Sequence, residues 1–116
     1  MDADSVEQLL IRCASEGRTL TYTEALAAFG MRFTRPKMRS LCKILGEVND
    51  RAAARGEPEL AVLVVRSSDG LPGDGWWAGR DRYLGDWTGT QAERYVRARQ
   101  NKAYRFWKNR GLASEE

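Results

Sequence analysis

The stretch that most constrains the fold of this chain runs from Gly17 to Asn49, because it carries start and stop signals for two consecutive helices. Thr21-x-x-Glu24 is a capping-box pattern, which opens a helix of about two turns that Gly30 ends. Thr34 caps a longer helix, and Pro36 lies in its first turn, where a missing backbone N–H costs nothing. A short helix, a turn and a longer helix together predict a helix-turn-helix unit.

The longer helix has an apolar face at helical spacing and a basic face opposite to it. Arg39 and Lys43 lie on the basic face, which makes residues 34–49 the candidate recognition helix. The pattern continues through Arg51 to Arg55 and stops at Gly56. The apolar face consists of Met38, Leu41, Cys42, Ile44, Leu45 and Val48.

The segments around this unit predict a mostly helical α+β domain. A first helix capped by Asp4 or Ser5 ends at Glu16. Leu60 to Arg66 is a β-branched run typical of a buried strand, and the glycine-rich loop from Ser67 to Gly75 follows it. Trp76 and Trp77 begin a return strand in this prediction, so the strands form a hairpin and the fold is a winged helix-turn-helix. Residues 80–87 are ambiguous, with a single helical turn around Tyr83 and Leu84.

A second capping-box pattern, Thr90-x-x-Glu93, opens a C-terminal helix that ends near Asn109. Its apolar and basic residues segregate onto two faces, as expected of an amphipathic helix. Residues 1–110 are therefore predicted to form one domain, and residues 111–116 a flexible tail. The apolar face holds Ala92, Tyr95, Val96, Ala103, Phe106 and Trp107, and the basic face holds Arg94, Arg97, Lys102, Arg105 and Lys108.

Positive charge is concentrated in two segments of a chain whose net charge is only +3. Arg32 to Lys43 holds five basic residues and no acid, and Arg94 to Arg110 holds seven basic residues and no acid. The remainder of the chain is therefore acidic. Such segregation is typical of a surface that binds nucleic acid or another polyanion, although two solvated helix faces would give the same pattern.

Catalytic chemistry is not indicated by the residue types present. The chain has no histidine, which is the commonest general base and metal ligand. Cys13 and Cys42 fall at apolar helical positions and are predicted to be buried, without a neighbouring base. No cofactor or metal is expected, and the acids of the glycine-rich loop are interpreted as turn formers. The absence of a long apolar run and of a signal-peptide pattern predicts a cytoplasmic protein.

The leading functional hypothesis is a small, non-enzymatic protein that binds double-stranded DNA. The candidate recognition helix presents Arg39 and Lys43 to the major groove, while Arg32, Arg35 and Lys37 contact phosphates near its start. The basic face of the C-terminal helix adds further phosphate contacts.

Two alternatives remain open. One is a protein-interaction module or inhibitor whose anchors are Trp76, Trp77 and Trp87, since exposed tryptophans often dominate interfaces. These tryptophans would otherwise form a local core under the wing. The other is an RNA-binding or ribosome-associated protein that uses the basic C-terminal helix.

A family resemblance supports the DNA hypothesis. The run GRTLTYTE at residues 17–24 resembles the "G-x-V-x-T-Y-G-E" start of the DNA-binding domain of O6-alkylguanine-DNA alkyltransferases and alkyltransferase-like proteins. The run VVRSSDG at residues 64–70 is similar to the "V-V-x-S-x-G" that follows their active-site motif. The resemblance implies a winged helix-turn-helix over residues 17–75, with Tyr22 near a phosphate and Arg39 directed at the DNA. Residues 50–57 are an insertion relative to the family.

The family's chemistry is not carried over with the scaffold. Its Pro-Cys-His-Arg motif would occupy the four positions before Val64, and these hold Leu60, Ala61, Val62 and Leu63. The nucleophile, its histidine and its arginine are thus all replaced by apolar residues. Alkyl transfer is excluded on this ground.

Overall fold

We describe the fold from a computed structural model, and its described part consists of five α-helices, one 3-10 turn and one short two-stranded parallel sheet. The structure describes residues 1–78, 83 and 85–115. In chain order the elements are α1 (Ala3–Glu16), β1 (Leu20–Thr21), α2 (Tyr22–Ala27), α3 (Arg35–Ala54), a 3-10 turn (Ala61–Leu63), β2 (Val64–Val65), α4 (Asp74–Ala78) and α5 (Gly89–Glu115). The mostly helical α+β class predicted from the sequence is therefore correct.

The predicted signals at the ends of the first three helices are largely confirmed. Gly17 ends α1 with a φ of 71° in the left-handed region, which a residue with a Cβ adopts only at a cost. Thr21 and Glu24 form the complete reciprocal capping box at the start of α2. The Thr34 side chain accepts a hydrogen bond from the Lys37 backbone N–H at the start of α3. The cap of α1 differs, because Asp2 rather than Asp4 or Ser5 accepts from the Ser5 N–H.

The strand predicted from Leu60 to Arg66 is buried as expected but is much shorter. The Asn49 side-chain oxygen accepts hydrogen bonds from the N–H groups of Leu60 and Ala61, at 3.0 and 2.9 Å. These bonds hold the chain in a 3-10 turn, so only Val64–Val65 remains extended. This strand pairs in parallel with β1, in the register Leu20 to Val64 and Thr21 to Val65.

The predicted return strand at Trp76 and Trp77 is wrong, because both residues lie in helix α4. The helical turn lets both rings reach Tyr95 of α5, at centroid distances of 5.9 and 6.0 Å. The Trp77 indole N–H also donates to the Pro72 carbonyl at 3.1 Å, which a strand would not allow. The helical turn predicted around Tyr83 and Leu84 falls mainly on residues outside the described ones.

Helix α5 packs chiefly against α1 and the 3-10 turn, and α1 also packs against α3. The predicted apolar face of α5 is only partly right: Ala92, Val96 and Ala103 are buried, but so is the polar Gln100. The Gln100 side-chain amide donates a hydrogen bond to the Val62 carbonyl at 3.0 Å, which compensates for its burial. The helix begins at Gly89, one residue before the predicted cap, and extends to Glu115, beyond the predicted end at Asn109.

A network of ion pairs fixes the C-terminal half of α3 against α1 and α5. Arg55 pairs with the buried carboxylate of Glu7 at 3.0 Å, and Arg51 pairs with Asp4. Arg110 of α5 pairs with Glu57, just past the end of α3, at 3.1 Å. The sequence pattern did not single out Glu7, whose side chain faces the core and is stabilised there by these cations.

No helix within the described part of the chain combines the length and apolar character that crossing a bilayer requires.

Candidate nucleic-acid interface

The five cations between Arg32 and Lys43 are all exposed on the surface of α3 and of the turn that precedes it. None of them forms an ion pair with a carboxylate among the residues the structure describes. An unpaired cation keeps its full attraction for an external anion. The set consists of Arg32, Arg35, Lys37, Arg39 and Lys43.

Arginines elsewhere on the described surface behave differently, because several of them are neutralised within the fold. Arg18 pairs with Glu16 at 2.7 Å, and Arg66 pairs with Asp69 at 2.9 Å. Arg51, Arg55 and Arg110 belong to the network that fixes α3. The first half of α3 is therefore distinguished from these positions by free positive charge.

Residues 66–71 form a tight loop, which we call the Arg66 loop. The Arg66 N–H donates to the Leu71 carbonyl at 2.8 Å, and the Gly70 N–H donates to the Arg66 carbonyl at 2.9 Å. Asp69 accepts from the Leu71 N–H and pairs with the Arg66 guanidinium, so this acid forms the turn, as the sequence suggested. The loop is thus closed by its own hydrogen bonds and holds Ser67 and Ser68 at the surface.

The Arg66 loop borders both basic segments. On α3 it lines a groove of about 450 Å³ together with Phe33 and Met38. On α5 it lines a cavity of about 160 Å³ together with Arg97 and Gln100. One rigid loop therefore connects the basic start of α3 with the first half of the basic face of α5.

The five predicted cations of α5 are also exposed and also lack a carboxylate partner among the described residues. They extend over four turns, however, and only the first end of the helix adjoins the Arg66 loop. Near the other end, Arg110 pairs with Glu57, about 20 Å along the axis of α3 from Arg39. Arg97 is therefore the cation of α5 that lines the cavity beside the Arg66 loop, together with the acid Glu93. Arg94 lies about one turn before Arg97, and Lys102, Arg105 and Lys108 lie progressively farther along α5.

Tyr22 does not occupy the exposed position that a phosphate contact requires. Its side chain is only 7% exposed, and its hydroxyl accepts a hydrogen bond from the Gly73 N–H at 2.8 Å. Burial raises the pKa of this hydroxyl above its ordinary value, with the Gly73 hydrogen bond acting in the opposite direction. Tyr22 thus joins α2 to the segment before α4 and is not part of the candidate interface.

Tyr22→Phe tests this structural role. The substitution leaves the Gly73 N–H without its acceptor, and we expect it to lower the free energy of unfolding by about 1 kcal/mol in urea denaturation. Tyr83→Phe is the matched control, because its hydroxyl donates to the Asp86 carbonyl at an exposed site and its loss should cost less. If Tyr22→Phe left stability unchanged but weakened DNA binding, the phosphate-contact role would be restored.

The raised pKa of the Tyr22 hydroxyl also determines the pH at which its contribution to the free energy of unfolding is lost. The folded state holds the phenolic proton more tightly than the unfolded state, because burial disfavours the phenolate. The contribution is fully present below the ordinary pKa of tyrosine and disappears as the pH rises through the folded-state value. Tyr22→Phe should therefore remove part of the alkaline loss of stability.

Cys42 is exposed rather than buried, in contrast to the prediction, whereas Cys13 is buried. Cys42 lines a cavity of about 210 Å³ together with Tyr22, Met38 and Trp76. Partial burial raises the pKa of the Cys42 thiol, which disfavours the reactive thiolate at neutral pH.

The three tryptophans at positions 76, 77 and 87 do not form an open patch. They form an aromatic cluster with Tyr83 and Tyr95. Trp77 is 2% exposed and Trp76 is half-buried, so the interpretation as a local core fits both. Trp87 stacks on Trp77 at 6.4 Å and keeps 41% of its surface exposed. The predicted interface of three tryptophan anchors is thus reduced to one accessible ring.

Phe33 is an exposed aromatic residue that the sequence patterns did not single out. It lies in the turn between α2 and α3, where Met31 is the apolar side chain that packs against the core, and 50% of the Phe33 surface is exposed. Its position between the basic residues Arg32 and Arg35 was the available signal. Arg32 and Arg35 are exposed and have no carboxylate partner among the described residues, so Phe33 is an apolar side chain within a basic segment.

Comparison of the chain with protein-family models, with curated proteins and with solved structures finds no significant match. The resemblance to the alkyltransferase DNA-binding domain therefore depends on the residues of this sequence alone.

Proposed function

We propose that this protein is a small, non-enzymatic DNA-binding protein. It binds duplex DNA with the first half of α3, the Arg66 loop and the first turns of the basic face of α5. The Arg66 loop occupies the place of a wing, although it is a closed turn and not a β-hairpin. This arrangement is a variant of the winged helix-turn-helix.

The main support for the proposal is the exposed positive charge on two segments, the start of α3 and the start of α5, which the Arg66 loop connects. Seven cations lie on this surface, and none has a carboxylate partner among the described residues. DNA binding of this type depends mainly on neutralising phosphates, so unpaired surface cations are the required feature. The seven are Arg32, Arg35, Lys37, Arg39, Lys43, Arg94 and Arg97.

The charge pattern along α3 also determines how the helix enters the groove. Arg39 and Lys43 are exposed in its first half, whereas Glu47 and Asp50 are exposed farther along. Phosphates would repel these acids, so the helix approaches DNA with its N-terminal half. This orientation is common among helix-turn-helix proteins, whose recognition helices contact bases through their first turns.

A salt series on duplex binding tests the proposal. We expect a fluorescein-labelled duplex to bind with an affinity that falls roughly a thousandfold between about 50 and 200 mM salt, as for six or more phosphate contacts. Single-stranded DNA and a structured RNA of equal length serve as comparison probes. Absence of duplex binding at the lowest salt would refute the proposal, and tighter binding of RNA would favour the ribosome-associated alternative.

The protein-partner alternative is less well supported by the described surface. Trp77 is buried and Trp76 is half-buried, so neither offers the large accessible ring of an interface anchor. Among the described residues, the remaining exposed aromatic side chains are Phe33 and Trp87, which are far apart in sequence, and Phe33 is flanked by Arg32 and Arg35. Exposed cations without carboxylate partners favour a nucleic acid over an apolar protein surface.

A further inference from the structure

We propose that Phe33 and the groove beside it hold an unpaired nucleobase. The preferred ligand is then a duplex with an adjoining single-stranded segment. This proposal rests on the proposed function and adds the class of DNA that the same surface selects.

The first support is the exposure of Phe33. Half of its ring is accessible, and it does not belong to the hydrophobic core or to the partly buried residues packed against it. An aromatic ring that the fold leaves in water has a free face for stacking. Bases stack on such rings without regard to sequence, because every base has a π-face.

The second support is the composition of the groove that Phe33 lines. It combines apolar surface from Phe33 and Met38 with five hydroxyl-bearing residues, two of which already have hydrogen-bond partners in the fold, and its volume is about 450 Å³. The hydroxyls of Thr23, Ser67 and Ser68 have no hydrogen-bond partner among the described residues. They are able to donate to or accept from the polar edge of a base, which in a duplex is already paired.

The third support is the charge that surrounds the ring. Arg32 and Arg35 flank Phe33 in sequence, and both are exposed without a carboxylate partner among the described residues. A nucleotide stacked on Phe33 carries phosphates on either side of its base, within reach of such neighbours. A protein partner with an apolar anchor would have to supply acidic residues on both sides to match the same pattern.

The test compares a blunt duplex with the same duplex carrying a single-stranded overhang of about five nucleotides. The wild-type chain should bind the overhang probe more tightly. Phe33→Ala should lower affinity for that probe by roughly 5- to 100-fold, the range expected for losing one stacked base, and leave blunt-duplex affinity unchanged. The two probes should then bind the variant equally well.

Two further variants separate stacking from general apolar contact. Phe33→Trp keeps an aromatic face and should retain the preference for the overhang, whereas Phe33→Leu keeps apolar surface without a π-face and should lose it. Circular dichroism and thermal unfolding confirm that each variant folds, as expected for a half-exposed side chain outside the core.

The possible failures can be told apart. If the wild-type chain binds both probes equally, or Phe33→Leu keeps the preference, the base-stacking proposal is overturned while duplex binding stands. If Phe33→Ala leaves both affinities unchanged, the ring contacts no nucleic acid, and a protein ligand becomes the explanation for it. If the chain binds neither probe at low salt, the proposed function itself fails.

Discussion

Replacing Arg39 and Lys43 together by alanine should weaken duplex binding about 30-fold at roughly 150 mM salt. The magnitude follows from counterion release, in which each phosphate contact contributes close to a fivefold gain at that salt concentration. Both side chains are exposed on the first half of α3 and have no carboxylate partner among the described residues. Their removal should therefore cost affinity without costing stability.

The salt dependence gives a second readout of the same variant. Losing two phosphate contacts should make the slope of log K against log salt shallower by about 2. If one of the two residues reads a base edge, the slope should change by only about 1, while specificity at one position relaxes. Fluorescence anisotropy with a labelled duplex measures both quantities.

The matched control removes two charges at the other end of the basic surface. Arg105→Ala with Lys108→Ala changes the net charge by the same amount, but the end of α5 adjoins Glu57, far along α3 from Arg39. We expect its effect on affinity to be less than about fivefold, below that of two lost phosphate contacts. Equal losses from the two double variants would mean that DNA responds to overall charge, and the assignment of one face would be wrong.

Replacing Trp77 by alanine should lower the free energy of unfolding by about 3–5 kcal/mol, a large share of the total for a domain of this size. The side chain is 2% exposed and lies within 4.7 to 6.4 Å of four other aromatic rings. Its indole N–H donates to the Pro72 carbonyl. The substitution thus creates a large cavity at the junction of α4 and α5, which chemical denaturation will register as a lower midpoint.

Trp87→Ala controls for the loss of a tryptophan at the edge of the same cluster. Its ring stacks on Trp77 but is 41% exposed, so we expect a cost below about 1.5 kcal/mol. A loss below about 1 kcal/mol for Trp77→Ala would contradict the structural role of the cluster. The tryptophans would then again be candidates for anchoring a protein partner.

The parts of this fold that could be predicted from sequence are those that neighbouring residues determine. The Thr21–Glu24 capping box, the Thr34 cap and the stop at Gly17 each depend on hydrogen bonds or backbone angles within a few residues. Their sequence signature therefore coincides with their physical cause. The exposure of Arg39 and Lys43 in the first half of α3 followed from helical spacing in the same way.

The errors arose where a distant side chain decides the local structure. The Asn49 side chain accepts hydrogen bonds from the backbone of Leu60 and Ala61, more than ten residues away, and the first part of the expected strand forms a 3-10 turn instead. Trp76 and Trp77 form a helix because Tyr95 lies where both rings can reach it. No local pattern records either contact.

Within the candidate site, the sequence predicted the location of the basic residues better than it predicted the exposure of the aromatic ones. The cations are exposed as expected, whereas Tyr22, which the family resemblance places near a phosphate, is buried, and no sequence pattern singled out the exposed Phe33. Tyr22 is buried because the Gly73 backbone approaches its hydroxyl, and Phe33 is exposed because it lies in the turn between α2 and α3. Only the three-dimensional arrangement distinguishes the two.

Mapping amide chemical shifts of the labelled protein during titration with a duplex, at about 50 mM salt where binding is strongest, tests the central claim most directly. The claim is that one surface, formed by the start of α3, the Arg66 loop and the first turns of α5, contacts the DNA. We expect the shifts to concentrate at residues 32–43, 67–70 and 94–97, with α1 and residues 105–110 nearly unchanged. Shifts centred on the far end of α5, or no shifts at this salt concentration, would contradict the claim.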